Sequence, residues 1–130
     1  MGIQNPGRIY RDIPTISPDD IQILTTGECR DMLRNFCRRN GHRDTIINGA
    51  FKLFRGAVAQ PGEPFIVPTR SMSDVPDARK VHNAMEGILA NPVTADLAVR
   101  GFDAAPGTNF KHHMRGDACA VTLELTNAPA

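Results

Sequence analysis

Tryptophan is absent from this 130-residue sequence, which also has one tyrosine, three cysteines and no long apolar run. Because a helix needs about 20 consecutive apolar residues to cross a bilayer, the sequence predicts no membrane span. Its first residues lack the continuous apolar core of a secretory signal, so no such signal is expected. The net charge of +1 at pH 7 gives no global basic field of the kind that holds nucleic acid.

The three cysteines, Cys29, Cys37 and Cys119, are too few for a disulfide framework and form no C-x-x-C pair. We therefore expect neither a structural zinc site nor a thioredoxin-type redox centre. The favoured interpretation is that they are small buried apolar side chains in the reducing environment of a cytosolic protein. Because their number is odd, a disulfide between subunits stays open as the alternative.

Proline and glycine are plentiful instead, with 10 and 11 residues. At the N-terminus, Pro6 and Pro14 disfavour both a helix and a central strand, since proline fixes φ and lacks a backbone donor. The segment is nevertheless too apolar for a solvated tail, because large apolar residues recur along it: Ile3, Ile9, Tyr10, Ile13 and Ile16. The pattern predicts an extended arm over residues 1–17, lying on its own domain or on a neighbour, and one domain over residues 18–130.

Capping signals and apolar spacing predict the helices. Residues 17–20 combine an N-cap serine, a proline at the first helical position and two acidic residues that the helix dipole favours. A longer helix is predicted over residues 28–40, with Gly41 suited to the left-handed position after its end. Its apolar face consists of Cys29, Met32, Leu33, Phe36 and Cys37. A second main helix is predicted over residues 77–90 and ends before Pro92.

The middle of the chain, residues 45–58, is compatible with a helix or with strands. Asn48 and Gly49 form the strongest short hairpin signal, and β-branched and aromatic residues flank them, so strands are favoured. A long loop is expected over residues 59–64, followed by a short strand over residues 65–67 between prolines.

Residues 94–102 are compatible with a helix or a strand, whereas the end of the chain carries the clearest strand signal. Apolar residues alternate there with Ala, Thr and Glu in a strict period of two: Cys119, Val121, Leu123 and Leu125. Residues 110–114 are a candidate to pair with this strand as a hairpin. The predicted fold class is α+β, a small antiparallel sheet with two main helices packed on one side and an extended N-terminal arm.

The first candidate binding surface is a row of arginines on the predicted helix 28–40. Arg30, Arg34 and Arg38 are spaced four residues apart, opposite the apolar face. A solvated helix face explains such a row without any ligand. As a binding surface, Arg34 and Arg38 suit an acidic neighbouring subunit, because guanidinium groups match carboxylates. A polyanion or nucleic acid is the alternative partner of the whole row, although no aromatic platform for base stacking lies nearby.

The second candidate is the pair His112 and His113, followed by Asp117 and Cys119. These residue types bind zinc, but adjacent residues of a strand point to opposite faces and do not easily share one ion. We expect one histidine to face the core or a partner and the other to face solvent. Cys119 lies on the apolar face of its strand, which is a poor position for a nucleophile. No catalytic residue, metal or cofactor is predicted; a small metal- or thiol-dependent enzyme is the remaining alternative.

The order of the predicted elements resembles that of small structural proteins of tailed bacteriophages, of the tail-terminator and neck type. The corresponding elements are the helix over residues 28–40, the strands within residues 45–67, the helix over residues 77–90 and the strand over residues 118–126. The arm of residues 1–17 departs from that pattern. The resemblance implies a non-enzymatic protein without catalytic residues, which assembles into rings or lattices through arms and loops.

The expected function is therefore that of a structural or assembly subunit of a virion, assembled in the host cytoplasm. The chain is expected to form a homo-oligomer, to dock on copies of itself and on other structural subunits through its arm and its Pro/Gly-rich loops, and to contact no membrane. The expected partner-binding residues are Ile3, Ile9, Tyr10, Ile13, Arg34 and Arg38.

Overall fold

The structure is a computed structural model, which describes residues 10–68, 75–115 and 120–127. Within these residues the fold class is α+β, as the sequence predicts, but with five helices rather than two main ones. The helices are α1 (Pro18–Gln22), α2 (Thr26–Arg39), α3 (Asp44–Ala59), α4 (Val75–Leu89) and α5 (Pro92–Gly101), and the strands are β1 (Phe65–Pro68), β2 (Thr108–Arg115) and β3 (Ala120–Asn127). Each helix of the described ranges is too short or too polar to cross a bilayer.

Local capping signals begin the first two helices where the sequence predicts them. The Oγ of Ser17 accepts a hydrogen bond from the amide of Asp20 at 3.1 Å at the start of α1. Thr25 and Glu28 form a capping box at the start of α2, each side chain accepting from the other residue's amide. Gly41 follows α2 with a φ of +89°, which confirms its predicted left-handed conformation.

The prediction of strands for residues 45–58 is wrong, because this segment lies in helix α3. Seven apolar residues of the helix recur at helical spacing and are buried: Ile46, Ile47, Ala50, Phe51, Leu53, Phe54 and Ala57. Burial of this face outweighs the local hairpin preference of Asn48 and Gly49. Gly49 also allows α4 to pack closely, since a β-carbon there would lie 3.1 Å from Val81. The resemblance in element order does not extend to this segment.

Residues 94–102, left open between helix and strand, lie in helix α5 and its cap. Asn91 begins the helix, because its side chain accepts from the amide of Val93 at 2.8 Å and a proline follows it at the first helical position. The buried hydroxyl of Thr94 donates to the carbonyl of Ile88 at 2.5 Å and joins α5 to α4. The proline that cannot continue α4 therefore begins the next helix.

The three strands form an antiparallel sheet in the order β1-β3-β2. Strands β2 and β3 pair as the predicted hairpin, with unbroken register over all eight residues of each strand. The middle strand contacts α3 and α4 and contributes three buried apolar residues, Val121, Leu123 and Leu125. Phe54 of α3 fills the core beside the sheet, with its ring centroid 4.9 Å from that of Phe102 and 4.8 Å from that of Phe110.

Candidate docking site at the arm root

The described part of the predicted arm begins with residues 10–16, which form no helix or strand and which we call the arm root. The ring of Tyr10 lies against Gly87 of α4, where a β-carbon would overlap it. Its hydroxyl donates to the backbone carbonyl of Asn83 at 2.7 Å. The ring also stacks on Phe36 of α2, with centroids 5.5 Å apart. Tyr10 thus joins α2 to α4.

The residues after α2 complete this contact. His42 is buried and stacks on the ring of Tyr10, with centroids 5.7 Å apart. Because the hydroxyl of Tyr10 donates its hydrogen to the Asn83 carbonyl, it accepts from Nε2 of His42. The C-cap residue Asn40 bonds the backbone of Arg11 twice: its Oδ1 accepts from the amide at 3.0 Å and its Nδ2 donates to the carbonyl at 2.9 Å. The arm root is therefore held by main-chain and side-chain bonds together.

The remaining arm residues divide between core and solvent. Ile16 packs against the hydrophobic core, whereas Ile13 stays 38 % exposed. Between the contacts at Tyr10 and Ile16, the arm root and α2 line a cavity of about 270 Å³. Of the four arm residues predicted to bind a partner, Tyr10 contacts its own domain and Ile13 is exposed, while Ile3 and Ile9 lie outside the described residues.

Two arginines of the predicted binding row donate within the chain. Nη1 of Arg30 donates to the carbonyl of Gly101 at 2.9 Å, at the C-terminal end of α5, where helix carbonyls lack intrahelical partners. Nη1 of Arg34 donates to the Oδ1 of Asn48 at 3.0 Å, and its guanidinium carbon lies 5.0 Å from the centre of the Phe51 ring. These contacts connect α2 to α5 and to α3.

The third arginine, Arg38, forms a two-bond ion pair with Asp44 at the start of α3. Nε lies 2.8 Å from Oδ1 and Nη2 lies 3.0 Å from Oδ2. The hydrogen bond from Arg38 holds the pKa of the Asp44 carboxyl below its ordinary value. All three guanidinium groups of the row thus donate within the chain.

The two adjacent histidines of β2 face opposite ways, as predicted. His113 is exposed, whereas His112 is partly buried against α4, where its Nδ1 lies 3.3 Å from Nε2 of His82. Burial lowers the pKa of both His82 and His112, and each pKa is lowered further by a neighbouring histidine. The described residues contain no group of three His, Cys, Asp or Glu side chains placed to hold a metal ion; Asp117 and Cys119 lie outside those residues.

The described cysteines, Cys29 and Cys37, are buried in α2, which confirms their predicted role as small apolar core residues. Burial raises the pKa of the Cys29 thiol and raises that of Cys37 to about 12. Because the thiolate is the nucleophilic form, both are poor nucleophiles at neutral pH. The third cysteine, Cys119, lies outside the described residues.

A larger cavity of about 550 Å³ lies between α1, α5 and the loop before β2. Asp96, Arg100 and Asp103 line it. Nη2 of Arg100 donates to the carbonyl of Leu24 at 2.6 Å and to that of Gln22 at 3.3 Å, and its buried Nε has no hydrogen-bond partner among the described residues. Arg100 thus fastens the end of α1 to α5.

Sequence reasoning missed the residues that hold the arm root, namely Asn40, His42, Asn83 and Gly87. Their contacts with the arm root join positions at least 29 residues apart in the chain, so no local motif links them. The one available signal is Gly87, a glycine inside a predicted helix, which indicates a close approach by another group.

Comparison of the chain with protein-family models, with curated proteins and with solved structures found no match.

Proposed function

We propose that this protein is a non-enzymatic assembly subunit that docks on neighbouring subunits, copies of itself among them, through its N-terminal arm and its Pro/Gly-rich loops. The proposed setting is a virion of the tailed-bacteriophage type, assembled in the host cytoplasm. That setting rests on the order of α2, α4 and the final strand β3, which resembles the order in such proteins.

The observation that supports the proposal is the attachment of the arm root. Tyr10, the sole tyrosine of the chain, and Asn40 hold the root against α2 and α4, so the residues before Tyr10 start from a defined point of the surface. Ordering a segment on binding costs about 1–2 kcal/mol per residue in backbone entropy. Because the arm root is already held, its own residues carry no such cost when the arm docks on a neighbour.

The direct test is removal of residues 1–9, with a starting methionine placed before Tyr10. The cut spares the arm root, because Tyr10 and Ile16 pack on the domain and a longer deletion would remove core contacts. We expect sedimentation to show the full chain as a homo-oligomer and the shortened chain as a monomer. The shortened chain should keep a single cooperative urea transition, which shows that its domain is folded. A monomeric full chain, or equal assembly of both chains, would contradict the proposal.

A pair of point variants separates the arm from other exposed apolar residues. Ile13 is 38 % exposed in the arm root, and Ile23 is 81 % exposed after α1. Ile13→Asp should weaken assembly while Ile23→Asp leaves it unchanged, because only the first lies on the proposed contact. The reverse result would assign the contact to α1 and would contradict docking by the arm.

A further inference from the structure

Strand β2 lies at an edge of the sheet, since β3 alone pairs with it among the described residues. Two side-chain bonds show how its backbone is oriented. Oγ1 of Thr122 donates to the carbonyl of His113 and Oγ1 of Thr126 donates to the carbonyl of Asn109, both at 3.2 Å and both from the residue directly opposite. Because the direction of backbone groups alternates along a strand, residues 109, 111 and 113 point toward β3.

The amides and carbonyls of Phe110, His112 and Met114 therefore point away from β3. A bond on the other side of β3 supports this orientation. The carbonyl of Leu125, the residue opposite Phe110, accepts from the amide of Gly62 at 2.8 Å and so points toward β1 and away from β2. No described residue bonds the three amides and three carbonyls that point outward. They form a row about 14 Å long, at about 3.4 Å per residue.

This edge lacks two of the usual protections of an exposed strand, a bulge and a proline. Its pairing with β3 contains no bulge, and its sequence, TNFKHHMR, contains no proline. The opposite edge of the sheet is different, because β1 has four residues and ends in Pro68. The outer edge of β2 is thus the longer template for addition of another strand.

The charges of β2 determine which strand fits this edge. Lys111 and His113 are exposed on its solvent face, and the strand itself has no acidic residue. On the inner side, Glu124 of β3 lies opposite Lys111, so an acidic residue on the outer side would continue an alternating row of charges. Antiparallel pairing of two copies about an axis through His112 would place Lys111 of each copy opposite His113 of the other, without any opposite charge. Residues 1–9 of the arm contain an arginine and no acid, so they do not match either.

We propose that the outer edge of β2 docks an extended acidic segment of a partner protein by strand addition. An acidic residue of that segment lies opposite Lys111, and its alternate, apolar residues lie on the other face beside Phe110 and Met114, which are partly buried. Backbone bonds provide the affinity and the lysine provides the charge preference. The inference rests on the strand edge and not on the arm, so it and the proposed function fail separately.

The test is a titration of the full chain with acetyl-Val-Glu-Val-Glu-Val-Glu-Val-amide near neutral pH, followed by amide NMR and hydrogen exchange. We expect exchange to slow at Phe110, His112 and Met114 and to change little at Lys111 and His113, whose amides already bond β3. A peptide with lysine in place of glutamate should not bind. No effect at millimolar peptide, equal binding of the lysine peptide, or preferential binding of a deoxythymidine oligonucleotide would overturn the proposal.

Two variants with a matched control add to this test. Lys111→Ala should weaken binding of the acidic peptide about twofold to fivefold, which is the range of one cross-strand charge pair. Lys52→Ala, at an exposed lysine of α3, should leave the affinity for the peptide unchanged. His112→Pro removes an outward amide but no bond to β3, and should abolish the slowed exchange at Met114. Equal effects of the two lysine variants, or exchange at Phe110, His112 and Met114 that is already slow without peptide, as pairing of two β2 edges would produce, would also overturn it.

Discussion

The substitution Gly87→Ala tests how the arm root is held, because it changes one helix position by one methyl group. Gly87 lies within α4, where alanine is ordinarily more favourable than glycine by about 0.5–1 kcal/mol. A β-carbon at this position, however, would overlap the ring of Tyr10. The methyl group and the tyrosine ring cannot both occupy the site, so the ring must move away.

The magnitude follows from the contacts that Tyr10 loses. Its hydroxyl bonds Asn83 and His42, each worth about 0.5–1.5 kcal/mol, and its stacking on Phe36 contributes a similar amount. After subtracting the helix gain of alanine, Gly87→Ala should lower the free energy of unfolding by about 1–3 kcal/mol. In a Tyr10→Ala background the ring is absent, and the same substitution should raise it by about 0.5–1 kcal/mol.

Urea denaturation of the native chain, the two single variants and the double variant measures both effects. The expected result is a change of sign: Gly87→Ala destabilises the native chain and stabilises the Tyr10→Ala chain. Stabilisation by the same amount in both backgrounds would refute the contact between Tyr10 and α4.

Three further predictions concern the core. The free energy of unfolding should fall as the pH drops below 6.5, the ordinary pKa of histidine. Burial lowers the pKa of His82 and His112 in the folded protein, so the unfolded chain takes up protons first. Urea denaturation across this pH range measures the loss of stability. Gly56→Ala should lower that free energy by about 1–3 kcal/mol, because a β-carbon there would overlap the ring of Phe65 in β1. Cys37, with a pKa of about 12, should react with iodoacetamide only in urea, as peptide mass mapping can show.

Each of these predictions has a control. Replacing both histidines with glutamine should flatten the pH dependence, and an unchanged slope would assign it to other groups. Gly27→Ala, at the open start of α2, should leave stability unchanged or improve it, so equal losses at both glycines would contradict the contact with Phe65. Rapid alkylation of Cys37 in the native protein would contradict its burial.

The parts of the fold that the sequence predicts correctly are those set by local signals. Ser17 and Thr25 cap helices through bonds to residues three positions ahead, and the alternation of Val121, Leu123 and Leu125 follows from one buried sheet face. These interactions form between residues a few positions apart, so the local sequence pattern is enough to predict them.

The segment of α3 was mispredicted because a tertiary contact decides its conformation. The hairpin preference of Asn48 and Gly49 is local, whereas the benefit of the helix comes from burying one face in the core and from the close approach of Val81 to Gly49. The arm root shows the same limit, since the bond from Tyr10 to Asn83 spans 73 residues. The isoleucines and prolines predict an extended arm but not the surface that holds it.

The measurement that tests the central claim most directly is the sedimentation mass of the full chain compared with the chain lacking residues 1–9. Docking by the arm predicts an oligomer for the first and a folded monomer for the second, which keeps a cooperative urea transition. An oligomer of unchanged mass after the deletion, or a monomer before it, would contradict the account.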